Sequence, residues 1–210
     1  MVKTLLRIFA IAGSLAAAAA PALADPLRGV AFGDSLVAGY QLGPGEAFPE
    51  RLEAALRDRG HDVEIANAGV SGDTTSGGLA RLGWSVPDGT DFVILELGAN
   101  DALRGISPEV TRENLDAMIA RLQERGMDVI LAGMLAPPNM GDDYADDFNA
   151  IFPDLAEKHG VPLYPFFLDG VATREDRLLG DGMHPNPDGV DAMVERFLPL
   201  MEDYLAGRDA

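Results

Sequence analysis

A serine placed where a buried strand should end is a candidate nucleophile, and Ser35 is so placed. Gly33-Asp34-Ser35-Leu36 follows the apolar stretch from Leu27 to Phe32. A serine hydroxyl is a poor nucleophile at neutral pH until a base takes its proton and a third group orients that base. The chain offers three histidines. His61 follows Arg59-Gly60 in a helix-to-strand turn, and His159 precedes Gly160 at a helix C-terminus, where the dipole favours an imidazolium. Both read as structural. His184 lies in Gly180-Asp181-Gly182-Met183-His184-Pro185-Asn186, a loop that precedes a helix and can hold a side chain over strand ends. Asp181, three residues earlier, is near enough within one turn to orient that imidazole. Asp34 is nearer Ser35 in sequence, but adjacent side chains point apart, so it reads as a turn or capping residue. Each piece also has a plainer reading: Gly-Asp-Ser is an ordinary capped strand-to-helix turn, and Asp-Gly-Met-His a helix entry.

Acyl transfer also needs donors aimed at the developing oxyanion, each contributing roughly a hundred- to a thousand-fold in rate. The candidates are the Ser35 N–H at a helix start, a backbone N–H of the Gly69 to Gly72 turn, and the Asn100 side-chain amide. Gly72 and Asn100 are also explained as a positive-φ turn residue and a turn cap. The Gly-x-Ser-x-Gly elbow of the α/β-hydrolases is absent around Ser35. Apolar residues Leu103, Ile106, Leu135, Pro137 and Met183 fall in the same loops and are candidates to line an acyl groove. Arg104 reads as a solvated surface arginine.

These loops need a scaffold, and the pattern of short apolar runs alternating with amphipathic ones predicts an α/β domain with a parallel sheet. Strands are expected at Gly29 to Phe32, Val63 to Asn67, Phe92 to Leu97, Val129 to Met134 and Val161 to Tyr164. The third and fourth are continuous apolar runs, as strands covered on both faces should be. Helices are expected over Phe48 to Arg59, from Ser107-Pro108-Glu109 to a stop at Gly126, and from Asp188 to Tyr204. Ser107 is the expected N-cap of the second. In open α/β sheets ligands bind beyond the carboxyl ends of the strands, and the polar and glycine-rich loops above gather on that rim.

The first 24 residues are of a different kind. Lys3 and Arg7 precede the apolar run Ile8 to Ala20, and Ala22-Leu23-Ala24 forms an Ala-x-Ala site, the three parts of a secretory signal peptide. The apolar run is short of the roughly 20 residues that span a bilayer. Residues 25–210 then form one domain, large enough to fold without staples. The chain has no cysteine for a disulfide or a lipid anchor. With 34 acidic against 16 basic residues the formal charge is −18, becoming −20 once Lys3 and Arg7 are removed. Such a surface repels phosphate backbones and anionic membranes, which argues against nucleic-acid binding or a stable membrane anchor. The expected product is an exported, periplasmic or secreted monomer.

Four blocks together resemble the SGNH (GDSL) hydrolases: Gly33 to Leu36, Asn67-Ala68-Gly69-Val70-Ser71-Gly72-Asp73-Thr74, Gly98-Ala99-Asn100-Asp101, and Asp181 to Asn186. Their order and spacing match across essentially the whole mature chain. Within the superfamily the chain is most similar to the small periplasmic acyl-CoA thioesterase, lysophospholipase and arylesterase group. The resemblance implies a three-layer α/β/α flavodoxin-like fold with a five-stranded parallel sheet. It also implies Ser35 as nucleophile, His184 as general base and acid, Asp181 as its orienting partner, and an oxyanion hole of the Ser35 and Gly72 amides with the Asn100 side chain. The implied activity is hydrolysis of carboxylic esters and thioesters bearing an acyl or aryl group, with no metal or organic cofactor. A carbohydrate O-acetylesterase and a noncatalytic acyl- or glycan-binding protein are the alternatives. The acidic run Asp142, Asp143, Asp146 and Asp147 departs from the group's pattern and gives no support to a preference for anionic headgroups or coenzyme A. It lacks the glycine spacing of a calcium loop and reads as a solvated helix start.

Overall fold

A computed structural model describes residues 25–208. The signal-peptide reading falls on residues 1–24, outside the described residues. Five strands form one sheet: β1 (Leu27–Gly33), β2 (Val63–Gly69), β3 (Phe92–Glu96), β4 (Asp128–Ala132) and β5 (Leu163–Tyr164). All neighbours pair in parallel, in the order β2-β1-β3-β4-β5. Among the described residues eight α-helices connect and cover them: α1 (Ser35–Ala38), α2 (Phe48–Asp58), α3 (Thr75–Ser85), α4 (Ala99–Leu103), α5 (Pro108–Glu124), α6 (Asp142–Asn149), α7 (Ile151–His159) and α8 (Pro187–Arg208). Helices α2 and α8 pack together on one face, while α5 packs with both α3 and α7 on the other. This is the three-layer flavodoxin-like arrangement expected. Strand order reverses between β1 and β3, so the loops carrying Ser35 and Asn100 flank the switch point where open sheets bind ligands.

The continuous apolar runs are buried as predicted, with every residue of β3 inside. The edges of the elements differ for local reasons. β4 ends before Gly133, whose backbone turns to bond Tyr164 and Phe167. β5 shrinks to two residues because Pro162 has no N–H to donate, although its carbonyl still accepts from Leu131 N at 2.9 Å. Ser107 occupies the N-cap position of α5 but its side chain makes no cap bond, and Pro108, at the first turn, needs none. Helix α3 has no counterpart in the sequence reading. Gly77, Gly78 and Gly83 depress its propensity, and it forms because Thr74 caps it and Leu82 buries.

Recesses open at both ends of the sheet among the described residues. One, of about 550 Å³, lies around Asp128, Val161 and Tyr204 at the amino ends of β4 and β5. The other, of about 650 Å³, lies at the carboxyl ends and contains Ser35 and His184.

Candidate active site

The position of Ser35 follows from how β1 ends. The chain leaves the sheet at Gly33, and Asp34 caps α1 by accepting from Leu36 N at 3.0 Å. Ser35 is thereby the first helical residue, 9% exposed at the floor of the cleft. Its Oγ lies 2.9 Å from His184 Nε2, a contact across 149 residues of sequence.

The histidine is held by its own loop. Leu179 N donates to His184 O at 2.7 Å, Leu178 and Pro185 form an antiparallel bridge, and Asn186 Oδ1 accepts from Gly189 N at 2.9 Å at the start of α8. Asp181 closes the turn: Oδ1 accepts from Met183 N and His184 N at 2.9 and 3.0 Å, and Oδ2 lies 2.7 Å from His184 Nδ1. The backbone bonds from His184 and Met183, followed by the bond to the His184 ring, pull the Asp181 carboxyl down to about 2. A carboxylate on Nδ1 fixes the tautomer that leaves Nε2 free to accept the Ser35 proton. Tyr40, beyond α1, lays its ring on the imidazole with centroids 4.4 Å apart and planes tilted by 38°.

The three residues expected to supply oxyanion donors, Ser35, Gly72 and Asn100, all line one cleft. Among the described residues no backbone carbonyl takes up the Ser35 or Gly72 N–H. Gly72 has φ of +81°, a left-handed turn that a side chain would strain. Arg104 is exposed, as a surface arginine should be, and its Nη2 also donates to the Gly72 carbonyl at 2.7 Å. Asn100 stands in the first turn of α4, and its Nδ2 donates to Asp34 Oδ2 at 2.8 Å. Asp34 therefore does more than cap a turn.

Arg81, on α3, brackets the two loops. Its guanidinium donates to Gly33 O and Ala68 O, both at 2.8 Å, and to Asp73 Oδ2 at 2.7 Å, and it lies 3.9 Å over the Phe32 ring. One buried cation thus ties the ends of β1 and β2 to the residue after Gly72. Asp101, fully buried, similarly joins α4 to Thr75 of α3 and Thr111 of α5.

Of the residues expected to line an acyl groove, Leu103, Leu135, Pro137 and Met183 border the cleft. Ile106 does not. It sits half-buried beside α6, and its carbonyl accepts the Tyr144 hydroxyl at 2.8 Å. Phe166, Leu168 and Thr173 complete the wall from the segment after β5, which carries no local signal of that role. The acidic run forms the exposed first turns of α6, as a solvated helix start should. His159 contacts Asp116 and Gln123, and neither it nor His61 borders the cleft.

The sequence pattern of the GDSL-like lipase/acylhydrolase family matches residues 31–192. An arylesterase of Vibrio mimicus is 44% identical over 164 residues, which is 78% of this chain and 82% of that protein. Thioesterase 1/protease 1/lysophospholipase L1 of Escherichia coli K12 is 35% identical over 185 residues, covering 86% of each chain. Among solved structures, AlinE4, an SGNH-hydrolase family esterase, superposes with a TM-score of 0.73 at 45% identity over 88% of this chain and 99% of its own.

Proposed function

The chain belongs to the GDSL-like lipase/acylhydrolase family and is an ester-hydrolysing enzyme, and we propose that it works through an acyl-enzyme on Ser35, with His184 as general base and acid and Asp181 as its orienting carboxylate. The observation that supports this most is the unbroken relay from Ser35 Oγ to His184 Nε2 at 2.9 Å and from His184 Nδ1 to Asp181 Oδ2 at 2.7 Å. In the first half-reaction Ser35 Oγ attacks the carbonyl carbon while His184 Nε2 takes its proton. Negative charge moves to the carbonyl oxygen, where the Ser35 and Gly72 N–H groups and the Asn100 amide receive it. His184 then protonates the departing alcohol or thiol. In the second, His184 takes a proton from water, the resulting hydroxide attacks the acyl carbon, and the acid leaves as the proton returns to Ser35.

The substrates fit the wall of the cleft. Tyr40, Leu103, Leu135, Phe166, Leu168 and Met183 present apolar surface to whatever binds beside Ser35. A volume of about 650 Å³ suits an aryl or medium acyl group and gives a sugar few polar contacts, which favours acyl and aryl esters over carbohydrate acetates. Among the described residues no helix is long and apolar enough to cross a membrane. The three-part pattern of residues 1–24 supports export to the periplasm, where we expect a monomer. Hydrolysis of a p-nitrophenyl ester series from acetate to palmitate, beside an acyl-CoA and a lysophospholipid, tests the reading with the mature protein and Ser35→Ala. Activity on short and medium aryl esters that the substitution abolishes supports it, and equal turnover by Ser35→Ala overturns it.

A further inference from the structure

Two carboxyl groups that the hydrolytic cycle does not use lie beneath the nucleophile. Glu96 ends β3, Asp34 follows β1, and both are fully buried. Glu96 Oε2 accepts from Asp34 N at 3.2 Å, while Glu96 Oε1 is buried with no hydrogen-bond partner. The contact is tight: a Cβ built on Gly33 would stand 2.6 Å from Glu96 Oε2, so only glycine fits between this carboxyl and the nucleophile loop. The charged groups around the pair are committed elsewhere. Arg81 reaches Gly33 O from α3 but pairs with Asp73, His184 pairs with Asp181, and Asp101 on α4 bonds Thr75 and Thr111. Among the described residues neither buried carboxyl has an ion-pair partner.

Two adjacent carboxylates without a cation are unfavourable in a dry site, and an orphaned carboxylate oxygen adds to the cost. A proton on Glu96 removes the like-charge pair, because the acid becomes a donor to the neighbouring carboxylate. Burial, and then the charge of Asp34, push Glu96 well above the usual carboxyl range. Burial raises Asp34 to about 6, against the hydrogen bonds from Leu36 N, Asn100 and Glu96 and the charge of His184. The proton therefore belongs on Glu96 and the charge on Asp34.

We propose that Glu96 is a positioning residue, a neutral carboxylic acid that donates to Asp34 and so fixes the carboxylate on which the Asn100 amide is set. Asp34 then holds two oxyanion donors in register. Oδ1 takes Leu36 N at 3.0 Å and fixes the turn carrying the Ser35 N–H; Oδ2 takes one Asn100 Nδ2 hydrogen at 2.8 Å and leaves the other for the oxyanion. The neutral acid also keeps a single negative charge on this side of His184. The inference rests on the reading of Ser35 as the nucleophile.

Two substitutions and one spectrum test it. Glu96→Gln keeps an acceptor for Asp34 N and a donor for the Asp34 carboxylate, whereas Glu96→Met keeps only the size. On p-nitrophenyl butyrate Glu96→Gln should lose no more than about threefold in kcat, and Glu96→Met about 30-fold or more with KM within about threefold, the split expected when transition-state alignment alone is lost. The acid limb of the Glu96→Met profile should move to higher pH, because Asp34 has lost a donor that stabilises its charge. Its Tm should fall below that of Glu96→Gln, because the buried Asp34 N–H and the Asp34 carboxylate each lose a partner. In the unmodified enzyme, carboxyl carbon NMR should show Glu96 neutral and Asp34 ionised at pH 7. Wild-type kcat and acid limb in Glu96→Met, equal losses in both variants, or an ionised Glu96 at pH 7 would each overturn the proposal. The spectrum needs no turnover, so failure of the nucleophile assignment, read by Ser35→Ala, stays separate.

Discussion

Asp34 Oδ2 accepts a hydrogen bond from Asn100 Nδ2 at 2.8 Å, joining the loop after β1 to the helix after β3 across 66 residues of sequence. Two loops that flank the reversal of strand order thus share one carboxylate.

Replacing Asp34 with alanine should release both ends. Loss of the α1 cap costs about 1 kcal/mol of stability. Misplacement of Asn100 should lower kcat by about a hundredfold with little change in KM, close to the loss expected for Asn100→Ala itself. Steady-state kinetics of Asp34→Ala, Asn100→Ala and the double variant check this. The two losses should be far from additive, because both act on one donor.

Arg81→Met should act on stability first. The guanidinium is 8% exposed and its removal leaves Gly33 O, Ala68 O and Asp73 without their buried donor. Breaking such a group costs about 3–5 kcal/mol, or roughly 10 °C in Tm for a domain of this size. Lysine cannot reach three acceptors with one ammonium, so Arg81→Lys should recover less than half of the loss in a thermal melt.

The buried acid makes stability depend on pH with a definite sign. Unfolded Glu96 releases its proton near the ordinary 4.5, while the folded protein retains it. Above 4.5 the unfolded state therefore binds fewer protons, and this group's contribution to stability falls as pH rises, by up to about 1.4 kcal/mol per pH unit. Asp34 adds the same sign between 3.8 and about 6. Asp181, drawn down to about 2, acts oppositely, its contribution being lost only as pH falls below 3.8. Glu96→Gln removes the first dependence, so its Tm advantage over the parent should widen from pH 5 to pH 7. A constant offset over that range contradicts the assignment of the proton.

Tyr40 packs against the His184 imidazole from the side. Its ring, 4.4 Å from the His184 centroid, restricts the imidazole to the plane in which Nε2 meets Ser35. Tyr40→Ala should lower kcat by about 3- to 10-fold, the range of an aromatic pair of this kind. Tyr40→Phe should keep most of the activity on the same substrate, because the ring remains.

What could be read in the sequence divides along physical lines. The strand cores were legible because β3 and β4 are unbroken apolar runs, and Asp181 and His184 because three residues bring their side chains within one turn. Glu96 was not. A glutamate closing an apolar run looks like the wet end of a strand, and only the pairing of β3 with β1 shows that it is sealed beneath Gly33. Arg81 likewise resembles any surface arginine on a helix, since its acceptors lie 13 and 48 residues away. Ile106 was misjudged because an apolar residue in a rim loop can face the cleft or the neighbouring helix, and the Tyr144 bond holds its backbone against α6. Helix α3 was hidden by its glycines, whose effect on propensity is outweighed by packing.

Labelling of Ser35 tests the central claim most directly. The mature enzyme is treated with a fluorophosphonate, which reacts with activated serines, and its intact mass, modified peptide and residual activity on p-nitrophenyl butyrate are followed together. One adduct per chain on the peptide containing Ser35, formed in step with loss of activity and absent from Ser35→Ala and His184→Ala, is the predicted result. Full activity in a chain modified at Ser35, or inactivation by an adduct on another residue with Ser35 untouched, would contradict it.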